Sequence, residues 1–185
     1  MTAVIIPAYN PNKDLDDIIK KSKNYIKKII IVDDGSEIPV TVKSEDVDIL
    51  RNDVNKGKGI SLIKGFQYAI ENTIKQVITL DCDGQHDPNF IPEFIKCKES
   101  IDIVIGNRDF SDSMPLHRKL SNKITSLILS LRCGKRILDS QCGYRRYNLE
   151  NIKKYDYNES GFHFESEILI KVLSNGGEVA HVKVP

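Results

Sequence analysis

The chain has 185 residues, enough for one domain with a substantial core but small for two, so residues 1–185 are treated as a single domain. Its 27 Lys and Arg nearly balance 26 Asp and Glu, and the net charge of +1 gives no electrostatic basis for nucleic-acid binding. The four Cys lack the spacing of a metal site or of a small disulfide scaffold, which favours reduced thiols.

The sequence predicts neither export nor a membrane span. Met1 leads directly into an apolar run, and no apolar stretch approaches the ~20 residues that a spanning helix needs. The longest candidate, residues 124–131, is short and interrupted by hydroxyl side chains. These features predict a soluble, cytoplasmic domain that contacts a membrane at most peripherally, at its inner face.

Short apolar runs alternate with segments of helical periodicity along the chain. The predicted strands are residues 2–7, 29–32, 46–50, 77–80, 101–106 and 178–184, with a further short strand near residue 147. The predicted helices are residues 14–26, 59–70, 90–95, 116–131 and 162–173. This alternation predicts an α/β fold with a mainly parallel sheet and right-handed crossovers.

Polar clusters follow four of the predicted strands at the point where each strand ends. They are Ala8-Tyr9-Asn10, Asp33-Asp34, Asp81-Cys82-Asp83 and Asn107-Arg108. In open parallel sheets, ligands bind outside the carboxyl ends of the strands. We therefore expect these clusters to converge on one edge of the sheet and to form the functional site.

The stretch from Asp81 to Pro88 carries the most specific chemistry. Asp81, Asp83 and Gln85 offer several hard oxygen ligands in one place, a set that suits Mg²⁺ or Mn²⁺ with a bound diphosphate. The alternative is a polar strand-to-helix turn in which Asp87 caps the helix that begins at Pro88. Both interpretations can be correct at once, because the helix cap leaves Asp81, Asp83 and Gln85 without a structural role.

Other motifs are ambiguous when each is taken alone. Asp33-Asp34-Gly35-Ser36 is typical of a turn, although an acid at a strand end also binds ribose or base in nucleotide-binding sheets. Asn55-Lys56-Gly57-Lys58-Gly59 resembles a phosphate-binding loop but lacks the full P-loop pattern, so a glycine-rich helix entry is favoured. Arg108, Arg118 and Arg145 are candidate phosphate ligands, because guanidinium binds phosphate oxygens bidentately.

In combination the motifs are specific. The segments 4–10, 31–36, 55–59, 81–88 and 106–108 occur in the order seen in family 2 glycosyltransferases with the GT-A fold. Residues 118–122, 139–145 and 165–169 resemble the dolichol-phosphate mannose synthase and polyprenyl-phosphate glycosyltransferase branch. The resemblance covers nearly the whole chain and implies a Rossmann-like three-layer sandwich. Pro11 stands where the family often has Glu, and the absence of Trp rules out the Gln-x-x-Arg-Trp motif of processive synthases.

The resemblance also implies roles for individual residues. Asp83 and Gln85, with Asp81 as a further candidate, would hold a divalent metal, Mg²⁺ or Mn²⁺. Asp83, Arg108 and Arg118 would be catalytic, with the two arginines facing the donor diphosphate and the acceptor phosphate. The acceptor would be bound by Arg118, Asn122 and Arg145. The nucleotide-sugar would lie against Pro7, Tyr9, Asn10, Val32, Asp34, Lys58, Asp81, Cys82 and Asp83.

The function implied by this resemblance is metal-assisted, inverting transfer of a hexose from a nucleotide-diphospho-sugar to a polyprenyl (undecaprenyl or dolichyl) phosphate at the membrane surface. A first alternative is a saccharide hydroxyl acceptor, which would need a base near Asp139 or Glu165. A second is a sugar-nucleotide-binding module without turnover. Because relatives often continue beyond this point, a further C-terminal segment or a membrane-anchoring partner is also expected.

Overall fold

The computed structural model describes residues 1–108, 116–155 and 164–185, with only the backbone described at residues 116–119 and 121. The strands are β1 Thr2–Ala8, β2 Lys28–Asp33, β3 Val47–Arg51, β4 Gln76–Thr79, β5 Ile103–Arg108, β6 Arg145–Asn148 and β7 Val179–Val184. The helices are α1 Asp14–Ser22, α2 Lys58–Glu71, α3 Ile91–Lys96, α4 Leu116–Cys133, α5 Leu149–Ile152 and α6 Phe164–Ser174, and a 3₁₀ turn, Pro88–Phe90, precedes α3.

The strands form one sheet in the order β3-β2-β1-β4-β6-β5-β7. Every neighbouring pair is parallel except those of β6, which runs antiparallel to β4 and β5. The prediction of a mainly parallel α/β sheet is therefore confirmed. From β1 the chain adds β2 and β3 on one side, and β4 and the later strands lie on the other. The carboxyl ends of β1 and β4 thus border the point where strand order reverses, the usual ligand position in such sheets.

Close packing of α2 on the sheet places the start of that helix over this edge. Ile5 and Val32 are fully buried on β1 and β2. Gly65 of α2 lies against both, and a Cβ at this position would be 2.9 Å from Ile5 Cγ2 and 3.3 Å from Val32 Cγ2. Glycine therefore allows a helix-to-sheet approach that a larger residue would prevent.

The turn before α3 matches the predicted helix cap. The Asp87 carboxylate accepts a hydrogen bond of 3.0 Å from the Asn89 backbone N–H, and Pro88 occupies the first position of the 3₁₀ turn. Pro lacks an N–H, which would be unpaired at this position in any case. Asp87 thus has a local structural role, separate from that of the preceding acids.

The antiparallel β6 and the short α5 differ from a simple alternation of strands and helices. β6 lies between β4 and β5, and all four of its residues are buried. The Arg146 guanidinium donates to the backbone carbonyls of Phe94, Cys97 and Lys98 around the end of α3. The positive charge thereby lies at the C-terminal end of α3, where the helix dipole is negative.

Candidate active site

A cavity of about 390 Å³ opens at the carboxyl ends of β1, β2 and β4, beside the first turn of α2. Several of the side chains predicted to bind a nucleotide-sugar lie together here. The lining residues are Pro7, Ala8, Tyr9, Asp34, Asn55, Gly57, Lys58, Ser61, Asp81, Cys82 and Asp83. The half-exposed Tyr9 ring supplies an aromatic surface, and the start of α2 offers the positive end of a helix. The cavity thus combines a surface for a flat apolar ring with groups that bind anions.

Asp34 shapes the side of the cavity formed by the glycine-containing loop. One of its carboxylate oxygens accepts from the Lys56 N–H at 3.0 Å and from the Asn52 amide at 2.7 Å. The other accepts from the Gly57 N–H at 2.8 Å. Gly57 has φ of 90°, a conformation that favours glycine and turns the chain into α2. The loop is therefore held by a buried acid on the neighbouring strand end.

The neighbouring Asp33 has a different function in the structure. Its side chain accepts from the Ser36 and Val40 backbone N–H groups and pairs with Arg51. Burial alone would raise the pKa of the Asp33 carboxyl, but these donors outweigh it and lower the pKa. Asp33 thus stabilises the turn after β2, whereas Asp34 faces the cavity.

Lys58 forms the charged centre of the cavity. Its ammonium lies 2.6 Å from an Asp81 oxygen and 3.4 Å from an oxygen of the buried Glu165. Burial alone would lower the pKa of Lys58, but the charges of Glu165 and Asp81 outweigh burial and raise it. Burial alone would raise the pKa of Asp81, but the charge of Lys58 helps to lower it. A Cβ on Gly143 would be 2.7 Å from Lys58 Nζ and 3.1 Å from Asp81 Oδ2, so glycine leaves room for this pair.

Sequence reasoning did not place Glu165 and Gly143 in this cluster. Glu165 is second in α6, where the positive end of the helix dipole is by itself a sufficient reason for an acid. Gly143 precedes β6 by two residues, and the Thr79 hydroxyl donates to its carbonyl at 2.7 Å. Only the pairing of β6 with β4 brings Gly143 against Asp81. The one indication of this contact in the sequence is the Gly between Cys142 and Tyr144, because nothing in the local sequence explains why a residue without a side chain is needed there.

His86 supports the backbone of Asp81 as a neutral imidazole. Its Nδ1 accepts from the Asp81 N–H at 3.1 Å, so the ring proton lies on Nε2. Burial lowers the pKa of His86, against the opposing effect of the nearby Asp81 carboxylate. The ring is 5.2 Å from that of Tyr144, which stacks on Phe94 at 4.3 Å. A rigid aromatic column thereby fixes the strand end that carries Asp81 and Asp83.

Replacing His86 with Gln should reduce the pH dependence of stability below pH about 6.5, the ordinary pKa of His. In the wild type the unfolded chain takes up a proton that the buried imidazole resists, so the free energy of unfolding falls as pH decreases. One such proton contributes a slope of up to about 1.4 kcal/mol per pH unit. Urea unfolding of both proteins from neutral to mildly acidic pH measures the difference. Equal slopes would contradict the assignment of His86 as a buried neutral group.

Asp83 and Gln85 lie at the exposed rim of the cavity. Asp83 Oδ1 accepts from the Gln85 N–H at 3.0 Å, and both side chains are exposed. Within the described ranges, no group of three or more His, Cys, Asp or Glu could hold a metal ion. A diphosphate-bound Mg²⁺ needs only one or two protein carboxylates, because phosphate and water oxygens complete its coordination. The donor set at Asp83, Gln85 and Asp81 therefore fits a metal that arrives with its diphosphate.

The charges in the cavity give a second reason for a divalent cation. Asp34, Asp81 and Asp83 line it together with the single ammonium of Lys58. A diphosphate placed among these carboxylates would meet like charges at short range, and such repulsion disfavours binding. A cation between Asp83 and the diphosphate would remove this repulsion. The lining therefore fits an anionic ligand together with a metal better than an anion alone.

Arg108 is held rigidly by a buried carboxylate. Its Nε donates to Asp139 Oδ2 at 2.8 Å and its Nη2 to Oδ1 at 3.1 Å. Asp139 also accepts from the Asn122 amide at 2.8 Å and from the Gln141 N–H at 3.2 Å. Burial would raise the pKa of Asp139, but the Arg108 hydrogen bonds lower it. The described residues that line the cavity do not include Arg108, and its charge contributes less than Lys58 and His86 to lowering the pKa of Asp81.

Four of the predicted ligand residues lie elsewhere. Val32 is fully buried within β2, and the Asn10 side chain accepts from the Glu37 N–H rather than lining the cavity. Asn122 is buried with its amide on Asp139. Arg145 is fully buried and donates to the carbonyls of Ser140, Cys142 and Glu165, which corrects its predicted role as an acceptor ligand.

The remaining predicted residue, Arg118, lies on the first turn of α4, and its side chain is outside the described residues. The backbone of that turn follows β5, whose last residue is Arg108. Its predicted contact with the acceptor phosphate therefore stays a prediction.

Comparison with known proteins identifies related sequences over almost the whole chain. The family model described as Glycosyl transferase family 2 matches residues 3–171. A UDP-N-acetylglucosamine–dolichyl-phosphate N-acetylglucosaminyltransferase of Methanococcus voltae is 30% identical, with 98% of this chain and 83% of the relative covered. An undecaprenyl-phosphate mannosyltransferase of Micrococcus luteus is 24% identical, with 97% of this chain and 81% of the relative covered.

The fold also matches a solved structure. Glucosyl-3-phosphoglycerate synthase from Mycobacterium tuberculosis, crystallised with Mg²⁺ and uridine diphosphate, superposes with a TM-score of 0.75 at 17% identity. The match covers 99% of this chain and 69% of that chain. At this identity the likeness establishes the fold alone, which is the GT-A fold expected from the sequence motifs.

Proposed function

The chain belongs to glycosyl transferase family 2, and from this premise we propose that it transfers a hexose from a nucleotide-diphospho-sugar to a polyprenyl phosphate, with inversion at the anomeric carbon. Relatives matched over nearly the whole chain carry names that specify dolichyl phosphate or undecaprenyl phosphate as the acceptor. The geometry of Arg108 and Asp139 is the main support for the proposal, because it fixes a cation in place and leaves the Asp139 carboxylate hydrogen-bonded.

The donor would occupy the cavity between β1, β2, β4 and α2. The base and ribose would lie against Tyr9 and Asp34, and the diphosphate would extend toward Lys58 and Asp83. Lys58 is already placed to exchange its contact with Asp81 for a phosphate oxygen. The start of α2 adds backbone N–H groups and the positive end of the helix dipole. Pro7, Asp81 and Cys82 complete the surface that faces the donor.

A divalent cation, Mg²⁺ or Mn²⁺, would be held by Asp83 and Gln85, with Asp81 as a third candidate. When bound, it supplies positive charge that stabilises the departing nucleoside diphosphate. Lys58 and the start of α2 would act on the same developing charge. His86 keeps the backbone of Asp81 in place, and thereby the adjoining residues that face the diphosphate.

For transfer to the acceptor, the acceptor phosphate has to be oriented but does not have to be deprotonated. A phosphate monoester is ionised at neutral pH, so its oxygen attacks the anomeric carbon directly while the bond from that carbon to the donor phosphate oxygen breaks. The electron pair of that bond leaves with the nucleoside diphosphate, and no proton has to be removed from the acceptor. Arg108, aligned by two hydrogen bonds to Asp139, and Arg118 would orient the acceptor phosphate.

The two carboxylates considered as bases for a hydroxyl acceptor are poorly arranged for that role. Asp139 is fully buried, accepts hydrogen bonds from Arg108 and Asn122, and has a lowered pKa. Glu165 is buried beside the Lys58 ammonium. A catalytic base works best when its pKa lies near the working pH and its oxygen can reach the proton. These environments favour an acceptor that is already anionic.

Replacing Arg118 with Ala tests the assignment of the acceptor. We expect transfer to a water-soluble, short-chain polyprenyl phosphate to fall by about 10- to 100-fold, the effect of losing one charge-assisted hydrogen bond. Hydrolysis of the donor should be retained, since Arg118 is not among the proposed donor ligands. Arg132→Ala, at the other end of α4, is the matched control. Unchanged lipid transfer by the Arg118→Ala variant would contradict the proposed acceptor contact.

A sugar-nucleotide-binding module without turnover predicts a different result. Such a module would be stabilised by a donor but would release no nucleoside diphosphate. Measurement of nucleoside diphosphate release with a panel of donors, with and without Mn²⁺, separates the two functions. We expect metal-dependent release from at least one donor.

A further inference from the structure

Glu165 is a buried acid whose hydrogen bonds are incomplete. The residue is 8% exposed, and its Oε1 atom makes no hydrogen bond within residues 1–108, 116–155 and 164–185. This oxygen lies 3.4 Å from the Lys58 ammonium. A buried carboxylate oxygen without a hydrogen bond destabilises a fold. The dipole of α6 explains why an acid is tolerated at this position but not why its side chain is turned toward Lys58.

Three charged groups converge at one point beside the cavity. A Cβ on Gly143 would be 2.7 Å from Lys58 Nζ and 3.1 Å from Asp81 Oδ2. The same atom would be 3.3 Å from Glu165 Oε1. A larger residue at position 143 would therefore press on all three groups. The lack of a side chain there allows one ammonium to lie between two acids.

The two acids hold Lys58 unequally. Asp81 Oδ1 lies 2.6 Å from Nζ, within the distance of a charge-assisted hydrogen bond, whereas Glu165 Oε1 lies at 3.4 Å. The Asp81 side chain is 30% exposed, and the Glu165 side chain is 11% exposed. Asp81 and Lys58 line the cavity, and the described lining residues do not include Glu165. A ligand in the cavity can therefore contact Lys58 and Asp81 directly, and it is influenced by Glu165 through Lys58.

We propose that Glu165 is a positioning residue for the donor, which holds the Lys58 ammonium when a nucleoside diphosphate displaces that ammonium from Asp81. A movement of about 0.5 Å would bring Nζ within charge-assisted hydrogen-bond distance of Glu165. An ammonium has three N–H donors, so it can bind Glu165 and a phosphate oxygen together. Asp81 would then be released to act as the third candidate ligand of the cation. The inference rests on the proposed function in taking the ligand to be a nucleotide-diphospho-sugar.

A second buried cation explains why Lys58 needs an acid that stays in place. Arg145 is fully buried, and its guanidinium donates to the Glu165 carbonyl at 2.7 Å. Burial and the charge of Arg145 would both lower the pKa of Lys58, but the charges of Glu165 and Asp81 outweigh them and raise it. If Asp81 turns to the metal, Glu165 remains as the acid that balances the two cations. The ammonium then stays charged while it contacts the diphosphate.

A purely structural role for Glu165 predicts a different pattern. Glu165 would then serve only to balance the charge of Arg145, whose side-chain hydrogen bonds go to three backbone carbonyls. Its replacement would lower the stability of the fold, and any effect on donor binding would be the same with or without Lys58. A role through Lys58 predicts that the effect on donor binding requires Lys58. Combining the two substitutions therefore separates the structural role from the positioning role.

Titration calorimetry with uridine diphosphate and guanosine diphosphate, each with Mg²⁺, tests the inference by binding alone. Glu165→Gln retains the size of the side chain and removes its charge, and we expect it to lower the affinity for the bound diphosphate by about 10-fold. Glu165→Asp retains the charge on a shorter side chain and should give a smaller loss. Glu93→Gln makes the same change in an exposed pair with Lys96 and should change the affinity by less than about twofold.

The same substitution in a Lys58→Gln protein gives the sharpest comparison. Without the ammonium, Glu165 is only a negative charge near the diphosphate. Lys58→Gln/Glu165→Gln should therefore bind the diphosphate as tightly as Lys58→Gln alone, or more tightly. An equal loss of affinity on replacing Glu165 in both backgrounds would overturn the inference. So would an unchanged affinity of the single Glu165→Gln variant.

These outcomes differ from those that test the proposed function. A protein that binds a diphosphate in the expected pattern but transfers no sugar to a polyprenyl phosphate would support this inference and contradict the proposed transfer. A wild type that binds neither diphosphate would contradict both. Urea unfolding shows whether Glu165→Gln is folded. If it is not, Glu165→Asp takes its place in both backgrounds, with a loss of affinity expected only where Lys58 is present.

Discussion

Replacing Asp83 with Asn is expected to lower the rate of sugar transfer by a factor of about 10²–10³, comparable to the loss of one strong electrostatic contact in a transition state. The change removes one negative charge and retains the size of the side chain. Asp83 is exposed, and its described hydrogen bond is to the Gln85 N–H, which an Asn oxygen can also accept. The variant should therefore fold normally and lose the ability to hold a cation with the diphosphate.

Thermal stabilisation by donor and Mn²⁺ provides the second measurement on this variant. A ligand at 100 times its dissociation constant adds about 2.7 kcal/mol to the free energy of unfolding. The wild type should show a larger donor-induced stabilisation with Mn²⁺ than without it, and Asp83→Asn should show no such difference. Asp17→Asn, an exposed acid on α1, makes the same chemical change away from the site. Retained Mn²⁺ dependence in Asp83→Asn would contradict the proposed metal position.

Replacing Arg108 with Ala is expected to lower the free energy of unfolding by about 3 kcal/mol and to abolish measurable transfer. Asp139 is fully buried, and the loss of Arg108 would leave its charge with neutral donors only. The expected loss is at the lower end for a buried pair because the Arg108 side chain keeps 22% exposure to solvent. The pKa of Asp139 should also rise in the variant. Urea unfolding measures the stability, and Arg132→Ala is the control for loss of an exposed Arg.

The double variant Arg108→Ala/Asp139→Asn separates the structural role of Arg108 from its catalytic role. The free energy of unfolding of the double variant should be higher, by about 1 kcal/mol or more, than the sum of the two single losses would give. Transfer should nevertheless remain lost, because no guanidinium is available to orient the acceptor phosphate. Recovery of transfer in the double variant would show that Arg108 acts only through stability. If the losses in the free energy of unfolding were additive, the Arg108 and Asp139 side chains would not stabilise each other.

The position of the cavity followed from the sequence because strand ends obey a simple geometric rule. Parallel strands place their carboxyl ends on the same edge of a sheet, so acids within two residues of the ends of β2 and β4 meet the residues after β1. This rule predicts that Asp34, Asp81 and Tyr9 lie close together. Their polar character at the end of an apolar run is visible in the sequence. The cap by Asp87 was equally local, since it depends on residues within two positions.

The role of Arg145 could not be derived in the same way. Its sequence context, a Gly-Tyr-Arg segment after a polar loop, is typical of an exposed phosphate ligand. The structure instead places it on β6, a short antiparallel strand inserted between β4 and β5. At that central position the guanidinium satisfies three carbonyls in the interior. Such a role depends on the order of the strands, which hydrophobic periodicity does not reveal.

The partners of Lys58 were hidden for a related reason. Lys58 forms salt bridges with Asp81 and Glu165, which lie 23 and 107 positions further along the chain. A sequence motif identifies Lys58 as a candidate for phosphate binding but contains no information about which acids hold it before a ligand arrives. The same applies to Asn122, whose amide supports Asp139 from a helix that was expected to supply acceptor contacts.

Direct assay of the acceptor tests the central claim. The purified protein is incubated with Mn²⁺, a panel of nucleotide-diphospho-hexoses, and either a short-chain polyprenyl phosphate or a simple saccharide. We predict formation of a polyprenyl-phosphate-linked hexose with inverted anomeric configuration, in an amount equal to the nucleoside diphosphate released, and no transfer to the saccharide. Transfer to the saccharide hydroxyl, or donor binding without release of nucleoside diphosphate, would contradict it.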